Sequence, residues 1–321
     1  METDTKSGIG TRLAAMAVVC CALGGCLSIS RKHAVPPAEI RPARTANEAE
    51  LLAVYSKQAA EVRSINATVT MSPVAGSAYT GVIEEYHDVG GFILAARPAM
   101  IRVIGQAPVV SKDIFDMVSD GQTFRIFIPS KNTFLIGATA LERPSKNPIE
   151  NLRPQHILDA LFWAPMAPAT PILFEEFDAS PARFYVLTML RNLAEGLEIS
   201  RKIWFDRLDL RVTRIQIYGP GGRLDSDIAY SNWQPAGGQG VSAVPASTAP
   251  EVDFPRDIRI SRPQQDYRLN LSITKLTLNA EIPPERFNLA QPPGTELTRV
   301  GQDQAQTFPP NRVQRQVEDR N

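Results

Sequence analysis

Residues 100–137 read MIRVIGQAPVVSKDIFDMVSDGQTFRIFIPSKNTFLIG, and this stretch decides the fold. Apolar and polar side chains alternate within it: Phe124 and Ile126 fall on one face of a strand, and Arg125 falls on the other. Alternation with a period of two is typical of a strand that has one buried face. The pair Asp120-Gly121 separates two such runs and is typical of a turn. The stretch therefore predicts an antiparallel meander.

The pattern can be followed outward in both directions. Upstream, apolar residues at three- and four-residue spacing predict a helix that Thr45 or Asn47 can cap. Downstream, Pro154 to Trp163 has the pattern of a second helix, because proline is favoured at a first helical position and Pro165 ends the segment. Strands are expected at residues 65–71, 81–87, 91–96, 100–105, 114–119, 123–129, 134–137, 183–190, 196–205, 212–218, 224–232, 257–261 and 269–278.

So many antiparallel strands cannot form one flat sheet, because strand twist accumulates and a sheet of more than about ten strands curls, splits or closes. We therefore expect a mainly β (α+β) fold, a strongly curved antiparallel sheet or incomplete β-barrel with helices covering the concave face. The face with Asp116 and Arg125 is expected to point to water. The apolar residues expected to point inward are Ile101, Val103, Phe115, Met117, Phe124, Ile126, Leu158 and Phe162. These eight residues would either line a lipid cavity or fill an ordinary core, and alternation fits both.

The N-terminal residues have the pattern of a secretory signal. Lys6 and Arg12 flank the start of an apolar run that ends in Leu23-Gly24-Gly25-Cys26. The run is shorter than the roughly 20 apolar residues that a membrane-spanning helix needs. The tetrapeptide resembles the lipobox of bacterial lipoproteins, which implies removal of residues 1–25 and lipid attachment at Cys26. An ordinary secretory signal and an uncleaved helix are the alternatives.

Cysteine usage agrees with lipid attachment. The chain has 3 cysteines, Cys20, Cys21 and Cys26, so cleavage would leave one cysteine at the first position of the mature protein. The lipoprotein pathway that the motif resembles attaches three acyl chains, palmitate among them, and two or more chains give stable membrane anchoring. Leu27 follows the cysteine, which in the same sorting scheme permits transfer to the outer membrane. We expect a monomer anchored there by its lipid and facing the periplasm.

The composition indicates one globular domain between two polar segments. Acidic and basic residues number 34 each, so nucleic acid is not an expected partner. We expect a flexible tether over residues 26–46, a domain over 47–298 and a disordered tail over 299–321. Residues 235–250, rich in Gly, Ala, Ser and Pro, are expected to form a flexible loop within the domain.

Several motifs resemble the LolA/LolB-like superfamily of periplasmic lipoprotein carriers and receptors. They are residues 97–105 (RPAMIRVIG), 117–124 (MVSDGQTF), 128–137 (IPSKNTFLIG) and 282–287 (IPPERF). The resemblance implies an open half-barrel with a helical lid, whose hydrophobic cavity holds acyl chains. In receptor members a loop presents a Pro-Leu pair to the membrane, and the matching positions here are Pro108 and Val109, followed by Val110. We expect either a membrane or partner contact at this loop or a tight hairpin with solvent-facing valines.

The residue pattern does not indicate an enzyme. His33, His87 and His156 are scattered, and no motif for zinc, hydrolase or redox chemistry occurs. The neighbouring Glu175 and Glu176 would point to opposite faces of a strand and could not share a substrate. We expect no catalytic residues, no metal and no cofactor.

Two functions fit these observations. The first is a membrane-anchored lipoprotein that binds lipid or acyl chains in a hydrophobic half-barrel cavity and takes part in lipoprotein or lipid transfer to the outer membrane. Its partners would be phospholipids, acyl chains or lipoproteins. The second is a structural or assembly lipoprotein whose interior is filled by side chains and which binds a protein partner. The volume of the interior distinguishes them.

Overall fold

The computed structural model describes residues 42–77, 82–85, 89–107, 112–139, 153–179, 182–236 and 252–300. Two α-helices occur among them, α1 (Glu48–Glu61) and α2 (Pro154–Leu161). The strands are β1 (Ser64–Ser77), β2 (Val82–Glu85), β3 (Val89–Ala96), β4 (Met100–Gln106), β5 (Asp113–Ser119), β6 (Thr123–Ile128), β7 (Thr133–Ala138), β8 (Ile172–Ala179), β9 (Ala182–Leu193), β10 (Gly196–Asp206), β11 (Val212–Tyr218), β12 (Leu224–Ala236), β13 (Val252–Arg262), β14 (Tyr267–Leu278) and β15 (Glu296–Val300).

All these strands belong to one sheet. From edge to edge the order is β15, β7, β6, β5, β4, β3, β1, β14, β13, β12, β11, β10, β9 and β8, and β2 pairs with β1. Neighbouring strands are antiparallel, except that β15 runs parallel to β7. The order begins at β15 and ends at β8 without joining, so the sheet is large, strongly curved and unclosed. The predicted mainly β fold, consistent with an incomplete barrel, is confirmed.

The first strand joins the two halves of the sheet. β1 pairs with β3 on one side and with β14 on the other, and its register with β14 runs from Ile65 opposite Leu278 to Ala75 opposite Tyr267. One meander, β3 to β7, therefore lies on one side of β1. The other, β8 to β14, lies on the opposite side.

The predicted strands are all present, with boundaries that differ by a few residues, but two further strands were not predicted. β8 reads ILFEEFDA and is exposed along almost its whole length, so its sequence lacks the alternation of a half-buried strand. β15 has five residues and forms its hydrogen bonds in a parallel pair with β7. Neither strand shows the alternation of apolar and polar residues by which a strand is recognised in a sequence.

Both predicted helices are confirmed. Asn47 caps α1 in a capping box: its Oδ1 accepts a hydrogen bond from the Glu50 N–H at 3.0 Å, and Glu50 Oε2 accepts one from the Asn47 N–H at 2.9 Å. Pro154 lies in the first turn of α2, where its missing N–H has no helical partner to lose. Tyr55 of α1 and Leu158 of α2 are buried in the same core as the inward residues of the sheet.

The eight residues expected to point inward all contact this core. Seven are buried, and Phe115 is half-buried against it. The seven are Ile101, Val103, Met117, Phe124, Ile126, Leu158 and Phe162. Their inward direction is confirmed, and their contact with a lipid stays a prediction.

The expectation that the Asp116 face points to water is wrong at Asp116 itself. Its side chain is 12% exposed, and its two carboxylate oxygens accept hydrogen bonds from Nε and Nη2 of Arg102 at 3.0 and 2.6 Å. A second, smaller core of Val118, Phe134 and Leu289 lies on this face. Leu289 belongs to the segment between β14 and β15, and that segment crosses the outer face of the first meander. A long-range contact of this kind leaves no local pattern in the sequence.

Several expectations fall outside the described residues. These are the signal and Cys26, the loop residues Pro108, Val109 and Val110, and most of the 235–250 loop and of the 299–321 tail. β12 extends to Ala236 and β15 to Val300, so the strands reach two residues into the expected loop and two into the expected tail. Among the described residues, no helix is long and apolar enough to cross a membrane.

Candidate functional site

Arg97, in the turn between β3 and β4, connects both helices to the sheet. Its Nη2 donates to the Ala59 carbonyl oxygen in α1 at 2.7 Å and to the Trp163 carbonyl oxygen just after α2 at 3.0 Å. Its Nε donates to the Val62 carbonyl oxygen at 2.9 Å, and its guanidinium lies 5.0 Å from the Phe162 ring centroid. Burial lowers the pKa of Arg97, although an arginine remains charged at any physiological pH. One side chain therefore satisfies carbonyl groups at the ends of both helices.

Trp163 is the centre of an aromatic cluster next to this arginine. Its ring stacks on Tyr55 at a centroid distance of 5.3 Å and meets Tyr230 edge-on at 5.6 Å. Its Nε1 donates to the Tyr230 hydroxyl at 3.1 Å, and that hydroxyl donates to the Ala160 carbonyl oxygen at 3.0 Å. Complete burial raises the pKa of Tyr230, so its hydroxyl stays protonated and able to donate.

A recess opens beside this cluster, and we call it the tyrosine recess. It has a volume of about 160 Å³. It is lined by Tyr55, Asp159, Phe162, Trp163, Ala164, Arg201, Ile215 and Ile217. Apolar side chains of β11 and of the segment after α2 form part of its wall, and three polar side chains complete it.

Arg201 is the cation of the tyrosine recess. Its Nη1 donates to the Tyr55 hydroxyl at 2.7 Å and to the Ala164 carbonyl oxygen at 3.3 Å, and Tyr55 in turn donates to Ala164 at 2.7 Å. Its Nε is buried and has no hydrogen-bond partner among the residues that the structure describes. Burial of Tyr55 raises the pKa of its hydroxyl, and the nearby Arg201 partly opposes this shift.

Asp159 is the carboxylate of the same recess. Its side chain reaches water, yet protein surrounds it closely, and the resulting desolvation raises the pKa of Asp159. Gln155 Nε2 donates to its Oδ1 at 3.3 Å, and this contact and the charges of Arg262 and Arg201 act in the opposite direction. Asp159 therefore takes up a proton more readily than an aspartate that water surrounds on all sides.

A second, larger recess also has Arg201 in its wall, and we call it the proline recess. It has a volume of about 350 Å³. The segment 165–171, which contains three prolines, forms one wall, and Met189–Asn192 of β9 with Ser200 and Arg201 of β10 form the other. The two recesses share Arg201 and adjoin along the chain at residues 164 and 165.

The structure separates most of the predicted site residues from these recesses. Phe162 lines the tyrosine recess. The other seven, Ile101, Val103, Phe115, Met117, Phe124, Ile126 and Leu158, line neither recess and pack into the main core. The loop of Pro108, Val109 and Val110 lies outside the described residues.

Sequence reasoning did not identify the polar residues of the site. Arg201 could have been found, because a period of two in β10 places it on the same face as the buried Ile203 and Phe205. A charged side chain in an apolar register is a signal of function or of a specific partner. Arg97 and Asp159 carry no such signal, because one lies in a turn and the other on the exposed part of a helix. Among the described residues, no group of His, Cys, Asp and Glu could hold a metal ion.

Comparison with known proteins adds likenesses in structure alone. No family model and no curated protein matches the sequence. A LolA superfamily protein from Nitrosomonas europaea is similar, with 12% identity, a TM-score of 0.43, and coverage of 76% of this chain and 99% of its own. A DUF1329 family protein from Desulfovibrio piger has 12% identity, a TM-score of 0.46, and coverage of 74% and 94%. A putative outer membrane lipoprotein-sorting protein domain from Vibrio parahaemolyticus has 10% identity, a TM-score of 0.44, and coverage of 75% and 97%.

Proposed function

We propose that this chain binds the acyl chain of a lipid or lipoprotein on the concave face of its sheet, under α2 and the segment that follows it. The observation that carries the proposal is the pair of recesses, of about 350 and 160 Å³, that flank Arg201 beside apolar side chains of the core. Ligand sites are concave, mostly apolar and roughly 300–1,000 Å³ in volume. The larger recess reaches this range and the smaller does not. A whole acyl chain would therefore need the covering segment to move.

In this proposal both helices cover the concave face, and α2 with residues 162–171 acts as a lid. Closing the lid buries Ile157, Leu158 and Leu161, which stabilises it by about 1.5–3 kcal/mol for each side chain, or roughly 5–9 kcal/mol together. A ligand that buries about ten methylene groups in the same place contributes about 8 kcal/mol. The two quantities are similar. Exchange between a closed lid and a bound acyl chain is then close to balance, as a protein that both takes up and releases lipid requires.

Membrane attachment through Cys26 and a location on the periplasmic side of the outer membrane belong to the proposal. They rest on the lipobox pattern at residues 23–26 and on Leu27 after it. The N–H of Arg44 already bonds the domain, donating to the Arg207 carbonyl oxygen at 2.6 Å, so the tether would comprise residues 27–43. At about 3.3 Å per residue when extended, it would let the domain work some tens of ångströms from the bilayer. Phospholipids or acylated proteins at that surface would be its partners, with the loop of Pro108, Val109 and Val110 as a candidate contact, and the chain would act as a monomer without catalysis.

The test is native mass spectrometry with lipid extraction on the chain from Leu27 onward, purified without detergent. Every described helix and strand lies between Glu48 and Val300, so this protein keeps the complete sheet. Two variants fill the recesses with a bulky side chain at exposed positions that line them, Ala167→Trp in the proline recess and Ala164→Trp in the tyrosine recess. Ala194→Trp, in the exposed turn between β9 and β10, is the matched control.

We expect phospholipid or an acylated peptide to accompany the parent protein and the Ala194→Trp control. The two recess variants should retain the fold, by circular dichroism, and lose the lipid. A protein that carries no lipid after incubation with liposomes and with acylated peptides would contradict the proposal. Equal lipid retention by all four proteins would place the acyl chain elsewhere and contradict the assignment to the recesses.

A further inference from the structure

Arg201 holds a positive charge within an apolar register of the sheet. Arg201 shares the core-facing side of β10 with Ile203 and Phe205, and both of these residues are fully buried. Arg201 itself is half-buried, and its Nε is buried without a hydrogen-bond partner in the described part of the chain, so that nitrogen has lost its hydration without compensation. Among the described residues, none forms an ion pair with Arg201, and its hydrogen bonds go to two neutral oxygens, on Tyr55 and Ala164.

The geometry of these hydrogen bonds leaves one edge of the guanidinium available. Both go through Nη1, whereas Nε is buried without a partner in the described part of the chain. The edge formed by Nε and Nη2 is the one that grips a carboxylate with two parallel hydrogen bonds. Arg102 uses this same edge on Asp116, at 3.0 and 2.6 Å, and Arg214 uses it on Asp227. In Arg201 no carboxylate of the described residues occupies this edge.

The acidic side chain of the tyrosine recess does not take that place. Asp159 lines the recess, but its hydrogen bond comes from Gln155 and not from Arg201. The charge of Arg201 acts on Asp159, since it opposes the desolvation that raises the pKa of this carboxyl, but the two side chains form no ion pair among the described residues. The Nε–Nη2 edge of Arg201 therefore stays available to a ligand.

We infer that Arg201 binds the anionic head group, a carboxylate or a phosphate, of an acyl-chain ligand through its Nε–Nη2 edge. This inference rests on the proposed function, because the acyl chain must lie in the adjoining recesses to bring its head group to Arg201. Planar, two-point recognition of carboxylate and phosphate is the chemistry for which arginine is suited and lysine is not. The ligand class is then an anionic lipid, and a neutral lipid of the same chain length binds more weakly. Nε is covered in the closed state, so the head group reaches it when the lid moves.

The experiment uses the chain from Leu27 onward and compares ligands that have the same acyl or alkyl chains but a charged or a neutral head group. Hexadecanoate is compared with hexadecanol, and dipalmitoyl phosphatidate with dipalmitoylglycerol, so that the two arms distinguish a carboxylate from a phosphate source. Each dissociation constant is measured by titration below the micellar concentration. The variants are Arg201→Gln, Arg201→Lys and the control Lys202→Gln. Lys202 is the next residue on β10, and its Nζ lies 3.8 Å from Glu175 Oε1.

We expect at least one anionic ligand to bind about 10- to 100-fold more tightly than its neutral counterpart, the range of one charge-assisted hydrogen-bonded contact. Arg201→Gln should weaken binding of the anionic lipid at least about tenfold more than binding of the neutral lipid, and so remove the preference, while Lys202→Gln keeps it. Arg201→Lys retains the charge but cannot form two parallel hydrogen bonds, so its preference for the anionic lipid should lie between those of the parent and Arg201→Gln. If the glutamine variant is unfolded, the lysine variant provides the test.

Two results would overturn the inference in distinguishable ways. If charged and neutral ligands bind the parent protein equally, or if Arg201→Gln weakens both to the same extent, Arg201 does not bind a head group, although the proposed function stands. If the parent protein binds none of the four ligands, the proposed function fails and this inference fails with it.

Discussion

The Nη2 atom of Arg97 lies 3.0 Å from the carbonyl oxygen of Trp163. The same nitrogen lies 2.7 Å from the carbonyl oxygen of Ala59, so one arginine in the β3–β4 turn bonds the last turn of α1 and the second residue after α2 at once. α2 has eight residues and carries the segment that walls both recesses. The position of that wall therefore depends on Arg97.

Replacing Arg97 with glutamine should loosen α2. The change removes hydrogen bonds from a charged donor to three carbonyl groups, and we expect the free energy of unfolding to fall by about 1.5–3 kcal/mol. Amide hydrogen exchange in residues 154–164 should rise more than in β12 or β13. Arg63→Gln, an exposed arginine in the neighbouring turn, is the control. Equal exchange in the Arg97 variant and the control would show that Arg97 does not hold α2.

Replacing Tyr230 with phenylalanine should lower the free energy of unfolding, although it removes a single oxygen atom. The hydroxyl accepts from Trp163 Nε1 and donates to the Ala160 carbonyl oxygen, so its removal leaves both groups buried without a partner. We expect a loss of about 1–3 kcal/mol in the free energy of unfolding, measured in urea. Tyr218→Phe is the control, since that residue is half-buried and, among the described residues, its hydroxyl donates to Gln216 Oε1 alone. A loss no larger than the control's would mean that water replaces the missing hydroxyl.

The His156 imidazole predicts a loss of stability in mild acid. Burial and, after it, the charges of Arg262 and Arg153 lower its pKa well below the ordinary value. As the pH falls through about 6.5, the unfolded chain takes up a proton that the folded chain refuses, and the free energy of unfolding decreases. Above that pH the residue is neutral in both states and contributes no slope.

His156→Gln should remove this part of the pH dependence. The difference in unfolding free energy between the variant and the parent is the quantity to measure, at about pH 7.5 and about pH 5, because other titrating groups cancel in it. Relative to the parent, the variant should have a higher free energy of unfolding at the lower pH than at the higher pH. A difference that stays constant between the two pH values would show that the imidazole is accessible to protons in the folded state.

Asp159 predicts the opposite dependence. Its pKa is raised in the folded state, so the carboxyl favours folding in acid and opposes it once the pH rises through the folded value. Asp159→Asn cannot ionise, and we expect this variant to be more stable than the parent at neutral pH, with the advantage vanishing in acid. Glu195→Gln, in the exposed turn of the β9–β10 hairpin, should change stability by less than about 0.5 kcal/mol at either pH. A neutral-pH advantage no larger than that of Glu195→Gln would indicate that Asp159 is well hydrated.

Cys26→Ala tests the lipid anchor. If the cysteine is acylated, the parent chain should fractionate with membranes and carry the mass of its lipid, and the variant should lose both. A protein with two or more acyl chains stays on a bilayer, so nearly all of the parent protein and almost none of the variant should be found in the membrane fraction. Intact-protein mass spectrometry of the membrane and soluble fractions measures it. A parent protein without added lipid mass would contradict the anchor.

Most strands could be predicted because each has a local cause. In β6, Phe124, Ile126 and Ile128 alternate with half-exposed residues, and six consecutive positions of the sequence show this alternation. β8 could not be predicted, because an exposed edge strand needs no apolar face. Asp116 was misjudged for a related reason, since the residue that covers its face, Leu289, lies far along the chain.

The role of the eight predicted cavity residues in lipid binding stays a prediction. Phe162 alone among the eight predicted cavity residues lines a recess. Ile101, Met117 and their neighbours point inward as expected, but inward residues around a packed core and around a cavity have the same alternation. Arg201 lines both recesses because β9, β10 and the segment after α2 meet there, and no single element encodes that meeting.

The amino-acid sequence by itself determined the helices, most strands, the inward faces and the lipobox pattern at Cys26, because periodicity, capping and turn chemistry act over a few residues. Only the tertiary structure decided that β1 joins the two meanders, that Arg97 bonds both helices, and that Arg201 lies between two recesses. β1 and β14 pair across about two hundred residues of chain, with Ile65 opposite Leu278. Pairing at that separation is set by the packing of the whole core, since loop closure varies only slowly with length and selects no partner.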